Sequence, residues 1–247
     1  MGLFWKRRYY VHIKKQGSVV AGSPLSGATE GDSVMYEEIK KRFEEIGIIP
    51  VVVLEDAKDA HALGEALMKG GLPAAEVTFR TAAAEEVIRI LSTDFPDMLV
   101  GAGTVLTCEQ ADRAMAAGAK FIVAPGFNPH VVKHCLEKGY PVTPGVQTPG
   151  EMEQAMELGL DFVKFFPAEP AGGLPMIKAV AAPYTKLKFM PTGGINKSNV
   201  KDYLEYNKIL ACGGTWMVKG DLIASGDFST IEQLAEEAAT IVKQIRG

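Results

Sequence analysis

A short apolar strand followed by an amphipathic helix recurs along the chain from Met35 to its end, with a spacing of roughly 20 to 30 residues. This alternation is typical of parallel strands that are joined by helical crossovers. About eight such units fit into residues 35–247, whereas open sheets of this kind usually have about five to seven strands. The pattern therefore predicts an α/β fold, a closed (β/α)8 barrel of the TIM type, in a single domain.

The predicted strands are residues 48–54, 74–80, 99–106, 120–125, 141–144, 162–166, 188–191 and 209–216. The predicted helices that follow them are residues 57–69, 82–95, 108–117, 129–138, 149–158, 174–182, 198–206 and 230–245. An extra N-terminal helix is expected over residues 36–46, before the first strand. Glycines such as Gly118, Gly139 and Gly159 follow predicted helices, at the place where a left-handed C-cap favours this residue.

The first 34 residues differ in composition from the rest of the chain. They contain the basic runs Lys6-Arg7-Arg8 and Lys14-Lys15 with aromatic residues between them, and then a glycine- and serine-rich segment over residues 17–33. A basic start is typical of a signal peptide, but the apolar segment and cleavage site that should follow are missing. We therefore expect residues 1–34 to be a disordered extension of the barrel domain, residues 35–247. Whether Met35 is the true start of the protein is left open.

Composition narrows the partners that the protein can have. A hydrophobic fraction of 47% is ample for a packed core, and a net charge of −4 leaves no basic surface for nucleic acid. The three cysteines form no Cys-x-x-Cys pair, so neither a disulfide framework nor a zinc site is indicated. No apolar run approaches the about 20 residues of a membrane span. We expect a cytoplasmic protein that binds a small molecule, with no nucleic-acid and no membrane partner.

The sixth predicted strand carries one lysine among apolar residues. Lys164 has Phe162, Phe165 and Phe166 as close neighbours, so the strand offers it no polar face. Burial disfavours the charged form of an amine, and a neutral amine is a nucleophile that attacks ketones to give a Schiff base. The ordinary alternative is a surface lysine on an edge strand. The remaining strands decide between the two, because Schiff-base chemistry also needs an acid/base and a site that binds the substrate.

The second predicted strand turns three polar residues to the same side. The period of two along residues 75–80 places Glu76, Thr78 and Arg80 on one face and apolar residues on the other. The apolar face should meet the helices, so the polar face should point into the barrel. A structural ion pair inside the barrel is one explanation. The functional one is that Glu76 transfers protons and Arg80 binds a carboxylate through two hydrogen bonds.

Glycines and hydroxyl residues at the ends of the last two predicted strands favour an anion site. Thr192-Gly193-Gly194 ends the seventh strand, and Gly214-Thr215 ends the eighth. Backbone N–H groups of glycines can approach a phosphate closely, and a helix predicted to begin near Asn196 and Ser198 would add positive potential. Many TIM barrels hold phosphate at this position. Simple turn formation is the alternative.

Two other features carry less information about function. Gly101-Ala102-Gly103-Thr104 looks like half of a dinucleotide-binding motif, but it lacks the third glycine and the strand–helix context. His130 and His134 lie four residues apart on a predicted outer helix, without a cluster of carboxylates or cysteines beside them. We expect these histidines to lie on a solvated face. No metal site is predicted, and a Schiff-base mechanism requires no cofactor.

Four motifs in this order resemble the bacterial 2-dehydro-3-deoxy-6-phosphogluconate (KDPG) and 4-hydroxy-2-oxoglutarate (KHG) aldolases. They are residues 76–81 (EVTFRT), 101–105 (GAGTV), 164–169 (KFFPAE) and 191–194 (PTGG). The resemblance covers residues 35–247. It implies a homotrimeric (β/α)8 class I aldolase that cleaves KDPG to pyruvate and glyceraldehyde 3-phosphate in the Entner–Doudoroff pathway, and KHG to pyruvate and glyoxylate.

The resemblance also implies roles for individual residues. Lys164 matches the Schiff-base lysine and Glu76 the acid/base, while Arg80 and Thr104 match the groups that bind the pyruvate carboxylate. The residues that match the remaining parts of the site are Pro125 and Phe166, which line the pocket, and Gly193, Gly194 and Thr215 at the phosphate end.

Two alternatives to this function are kept open. The same lysine would serve an aldolase for 2-dehydro-3-deoxy-6-phosphogalactonate, and relative kcat/KM values would separate these substrates. The alternative of another class is a non-catalytic barrel that binds a phosphosugar. Such a protein would have no reason to keep both Lys164 and Glu76.

Overall fold

The structure, a computed structural model, describes residues 30–247. The predicted extension over residues 1–34 falls almost entirely outside these residues and stays a prediction. In the described part of the chain, no helix combines the length and the apolar character that a membrane crossing requires.

Short strands and helices alternate along the described residues. The strands are Ile48–Val52 (β1), Ala74–Thr78 (β2), Leu99–Gly103 (β3), Ile122–Val123 (β4), Val142–Thr143 (β5), Gly145–Val146 (β6), Phe162–Phe165 (β7), Lys188–Pro191 (β8) and Cys212–Gly214 (β9). The helices are Glu30–Ile46 (α1), Ala60–Lys69 (α2), Ala84–Asp94 (α3), Cys108–Ala116 (α4), Pro129–Glu137 (α5), Pro149–Glu157 (α6), Gly173–Ala181 (α7), Val200–Leu204 (α8), Gly220–Ser225 (α9) and Phe228–Arg246 (α10).

The strands form a curled parallel sheet, so the α/β class that the sequence predicted is confirmed. Six strands pair in the order β5-β4-β3-β2-β1-β9, and three more pair in the order β6-β7-β8. Every pair of neighbouring strands is parallel. Because the strands run in one direction, their carboxyl ends meet at one edge of the sheet.

Two predicted elements differ clearly from the structure, and one helix of the structure was not predicted. The strand predicted over residues 141–144 is two short strands, β5 and β6, which are separated by Pro144. Proline has no N–H to donate to a sheet, although its carbonyl accepts a hydrogen bond from the Lys164 amide at 2.9 Å. The helix predicted over residues 198–206 is shorter in the structure, where α8 covers only Val200–Leu204. The short helix α9 was not predicted at all, because six residues are too few to show a period of 3.6.

Helix α1 packs against the amino-terminal ends of the strands. Its Phe43 ring lies 4.8 Å from the ring of Phe121, just before β4, and 5.3 Å from that of Phe162, the first residue of β7. Lys40 on the same helix forms an ion pair with Asp161 at 2.7 Å. This end of the sheet is therefore filled by apolar packing, and a binding site has room only at the carboxyl ends.

Candidate active site

A cavity of about 250 Å³ lies at the carboxyl ends of the strands. Its lining residues are Val51, Glu76, Thr78, Arg80, Thr104, Pro125, Lys164, Phe166, Thr192, Gly193, Gly194, Ile195, Gly213, Gly214 and Thr215. Every residue that the sequence predicted to be catalytic or substrate-binding is among them. The roles of these residues stay predictions, but the structure brings all of them to one place. Val51 and Ile195 were missed, since an apolar residue at a strand end looks the same as a core residue in the sequence.

Lys164 and Glu76 form a buried ion pair in this cavity. The Lys164 Nζ donates to Glu76 Oε1 at 3.2 Å, and the two residues are only 5% and 0% exposed. Lys164 belongs to β7, which has β6 on one side and β8 on the other. The alternative of a surface lysine on an edge strand is therefore wrong. Eighty-eight residues separate the two partners in the chain, so only the curvature of the sheet brings them together.

The second carboxylate oxygen of Glu76 has no partner within the described residues. Oε2 is buried and accepts no hydrogen bond. A buried carboxylate oxygen without a donor costs free energy, and a water molecule or a substrate group that donates to it would offset this cost. The unused acceptor favours a group that is ready to bind a substrate hydroxyl or a water molecule.

Gly103 at the end of β3 makes the room for this carboxylate. A Cβ atom built on Gly103 would overlap Glu76 Oε1 and lie 2.7 Å from the Glu76 Cγ. Any side chain at this position would force the carboxylate away from Lys164.

Replacement of Gly103 by alanine is therefore expected to lower kcat by about 10²-fold while the protein stays folded, since small displacements of a reacting group have effects of this size. The measurement is the steady-state turnover rate, together with the thermal midpoint of unfolding. Gly126→Ala is the matched control, because a Cβ atom at Gly126 would meet nothing within 4 Å. Equal activities of the two variants would contradict the steric argument.

Arg80 and Thr104 lie at the mouth of the cavity. Arg80 is exposed. Among residues 30–247 it has no ion-pair partner, and its only side-chain hydrogen bond runs from Nε to Thr78 Oγ1 at 3.4 Å. Thr104 has a φ of 56°, the only positive value for a non-glycine residue in the described chain. This region is unfavourable for a β-branched residue, and such strain is concentrated at functional sites. A free guanidinium beside a hydroxyl can bind a carboxylate.

The loop after β8 offers backbone N–H groups at the opposite end of the cavity. Gly193 and Gly194 have φ values of 99° and 83°, which other residues rarely adopt. The Gly193 carbonyl accepts from the Glu169 amide at 3.0 Å, and the Gly194 carbonyl accepts from the side-chain amides of Asn196 and Asn199 at 3.1 Å. Apart from the parallel bridge between Thr192 and Gly213, the amides of Gly193 and Gly194 have no acceptor within the described residues. They are available to an anion.

The helix predicted to start near Asn196 and Ser198 begins slightly later, at Val200, whose amide donates to the Asn196 carbonyl at 3.0 Å. The Asn196 amide donates to Asn199 Oδ1 at 2.8 Å, and this side-chain bond turns the chain before α8 begins at Val200. The positive potential at this end of the cavity therefore comes from the loop amides and not from a helix that begins at Asn196.

The two histidines on α5 lie away from the cavity. His134 Nε2 is 2.9 Å from Asp112 Oδ1, and neither His130 nor His134 lines the site. Within residues 30–247, no group of three histidine, cysteine, aspartate or glutamate side chains is close enough to hold a metal ion.

Within the described residues, a parallel sheet places a buried lysine in contact with a carboxylate, in one cavity with a guanidinium that has no ion-pair partner and with the amides of a glycine loop. This arrangement defines an enzyme of the class I aldolase type. Such enzymes act through a Schiff base on a lysine. A family model described as KDPG and KHG aldolase matches residues 39–234. The chain belongs to this family, which confirms the resemblance that the motifs indicated.

Individual proteins of the family are similar over most of their length. The 2-dehydro-3-deoxy-phosphogluconate aldolase of Treponema pallidum is 50% identical over 83% of this chain and 97% of its own. That of Haemophilus influenzae is 47% identical over 85% and 100%. A solved structure of the KDPG aldolase from Legionella pneumophila has a TM-score of 0.78 and is 38% identical, over 81% of this chain and 97% of its own. That structure contains pyruvate captured at low pH as a covalent carbinolamine intermediate.

Proposed function

We propose that the protein cleaves 2-dehydro-3-deoxy-6-phosphogluconate to pyruvate and glyceraldehyde 3-phosphate, with 4-hydroxy-2-oxoglutarate as a second substrate that yields pyruvate and glyoxylate. The observation that carries this proposal is the contact of Lys164 with Glu76, at 3.2 Å in a buried cavity. The names of the relatives support the choice of substrate. A binding protein without activity would gain nothing from a buried ion pair, which costs free energy to desolvate.

Proton transfer between Lys164 and Glu76 starts the proposed mechanism. Glu76 accepts a proton from the lysine, and the neutral amine attacks the C2 ketone of the substrate. The carbinolamine that forms loses water to give the Schiff base, with Glu76 supplying the proton that the leaving hydroxide needs. The Phe166 ring, 5.2 Å from the Lys164 nitrogen, covers one side of this reacting centre and keeps water away.

Cleavage of the carbon–carbon bond follows from the Schiff base. Glu76 removes the proton of the C4 hydroxyl, directly or through a water molecule bound at its unpartnered Oε2. The C3–C4 bond then breaks, its electron pair moves into an enamine, and the aldehyde product leaves. Protonation of the enamine at C3 and hydrolysis of the Schiff base release pyruvate and regenerate Lys164.

The two ends of the cavity orient the substrate for these steps. Arg80 and the Thr104 hydroxyl bind the carboxylate next to the C2 ketone. The amides of Gly193 and Gly194, with Gly214 and Thr215 on the neighbouring strand end, bind the phosphate at C6. The Thr192 hydroxyl oxygen is buried and without a partner among the described residues, so it is available to a substrate hydroxyl between the two ends.

We further propose that the sheet closes into an eight-stranded barrel, in which β5 and β6 together form the fifth strand. Closure also requires that β8 meets β9. Parallel bridges between Phe189 and Ile209 and between Thr192 and Gly213 support this contact. A cytoplasmic homotrimer is the proposed state in the cell, by analogy with the family. Light scattering of the purified protein tests the trimer.

The experiment that tests the function combines trapping with turnover. Incubation with pyruvate and borohydride should leave a stable adduct on Lys164, detected by peptide mass spectrometry, because borohydride reduces a Schiff base. The purified enzyme should also release pyruvate from KDPG with a higher kcat/KM than from 2-dehydro-3-deoxy-6-phosphogalactonate. Folded protein that forms no adduct and cleaves none of the substrates would leave the phosphosugar-binding barrel as the better hypothesis.

A further inference from the structure

A buried hydrogen bond lies directly behind the loop of Gly193 and Gly194. Tyr203 on α8 is 2% exposed, and its hydroxyl donates to Glu169 Oε1 in the segment between β7 and α7. Burial, followed by the Glu169 carboxylate, raises the pKa of Tyr203 far above its usual range. Tyr203 is therefore a neutral donor, and Glu169 is its acceptor.

Glu169 also contacts the loop of Gly193 and Gly194 directly. Its amide donates to the Gly193 carbonyl at 3.0 Å. Its Cβ and Cγ atoms are so close to Gly194 that a Cβ atom built there would lie 2.5 and 2.7 Å from them. The position of the Glu169 side chain thus determines where Gly194 can lie. Neither Glu169 nor Tyr203 lines the cavity, so neither contacts a substrate directly.

The charge of Glu169 makes its orientation matter. Unpaired amides that can bind a phosphate can equally bind a carboxylate, and two anions close together repel each other. The bond to Tyr203 keeps the carboxylate turned toward Gly173, where Oε1 lies 2.9 Å from a Cβ atom built on that residue. A carboxylate released from Tyr203 could turn to the amides of Gly193 and Gly194 and compete with the substrate.

We propose that Glu169 and Tyr203 form a positioning pair that holds the Gly193-Gly194 loop open for the phosphate and so sets the preference for phosphorylated substrates. This inference rests on the proposed function. It assigns the pair no part in Schiff-base formation, because the reaction at Lys164 takes place at the other end of the substrate.

The test is Tyr203→Phe, which removes one hydroxyl and keeps the buried ring. KM for KDPG should rise about tenfold, the size expected when a hydrogen bond to a charged group is lost. The kcat for KDPG, and kcat/KM for the unphosphorylated 4-hydroxy-2-oxoglutarate, should stay within about twofold. Inhibition by inorganic phosphate should weaken by about the same factor as KM rises. Tyr184→Phe is the matched control, since Tyr184 also donates to a glutamate, Glu153 at 2.9 Å, but lies outside the cavity.

A second variant separates the orientation of Glu169 from its charge. Addition of Glu169→Gln to Tyr203→Phe removes the competing carboxylate and should restore part of the lost affinity for KDPG. Equal losses on both substrates, or an unchanged KM for KDPG in Tyr203→Phe, would overturn the positioning role. Wild-type protein that neither traps pyruvate nor cleaves either substrate would instead overturn the proposed function, so the two failures are distinguishable.

Discussion

Replacement of Lys164 by arginine is expected to abolish cleavage of KDPG, with a loss of about 10⁴-fold or more in kcat. Losses of this order follow when an enzyme that works through a covalent intermediate loses its nucleophile. Arginine keeps a positive charge beside Glu76, so the buried carboxylate keeps a partner. A guanidinium stays protonated in proteins and forms no Schiff base. The variant should therefore fold and still bind the phosphorylated substrate, but give no borohydride adduct with pyruvate.

Lys188→Arg is the control for this experiment. Lys188 opens the neighbouring strand β8, and its Nζ donates to the Asn207 carbonyl at 2.6 Å, at the end of the sheet opposite to the cavity. Its replacement should leave both turnover and the adduct on Lys164 unchanged. An adduct that persists in Lys164→Arg would show that another amine is the nucleophile. Turnover that persists without an adduct would contradict Schiff-base chemistry altogether.

The lysine and the carboxylate could be predicted from local sequence, but their contact could not. A charged residue between phenylalanines and a period of two along β2 were enough to place Lys164 and Glu76 inside a sheet. The distance between the two side chains depends on the register of the paired strands in the curled sheet. Examples of this register are Val51 opposite Glu76 and Lys164 opposite Met190. Register of this kind is set by the packing of the whole sheet and leaves no trace in a single strand.

Backbone conformation was the part of the site that the sequence described least well. The glycines of the loop after β8 were visible, yet Ser198 and Asn199 were predicted as the first residues of a helix. They belong instead to a turn in which the Asn196 amide donates to Asn199 Oδ1, a local side-chain bond that competes with helix formation. The left-handed conformation of Thr104 was equally hidden, since a β-branched residue is not expected there. Strain of this kind is imposed by the surrounding structure.

The supporting residues behind the cavity were missed for a different reason. Gly103 looks like any small residue in a strand, and only the overlap of a built Cβ atom with Glu76 reveals its role. Tyr203 and Glu169 are far apart in the chain and lie in different elements. Gly103 and Glu169 lie within two of the quoted motifs, but a motif does not say which side chain a residue contacts, so a structure is needed to assign these roles.

Replacement of Glu76 by glutamine is expected to lower kcat by about 10²- to 10⁴-fold, the range that general acid/base groups contribute. Glutamine has nearly the same shape, and its side-chain oxygen can still accept a hydrogen bond from Lys164. Arg80 and the Gly193-Gly194 loop, which are proposed to bind the substrate, are unchanged in this variant, so KM should change by only a few-fold. What is lost is the ability to move protons at the carbinolamine, at the C4 hydroxyl and at C3.

Exchange of the methyl protons of pyruvate in D₂O, followed by NMR, isolates this loss. Exchange requires both the Schiff base on Lys164 and a base that removes a proton from C3, whereas the borohydride adduct requires the Schiff base alone. In Glu76→Gln, the adduct should still form, although more slowly, while the exchange rate falls together with kcat. Glu157→Gln, an exposed glutamate on α6, should leave both unchanged. Near-normal exchange and turnover in Glu76→Gln would exclude Glu76 from proton transfer, and its contact with Lys164 would then be a structural ion pair.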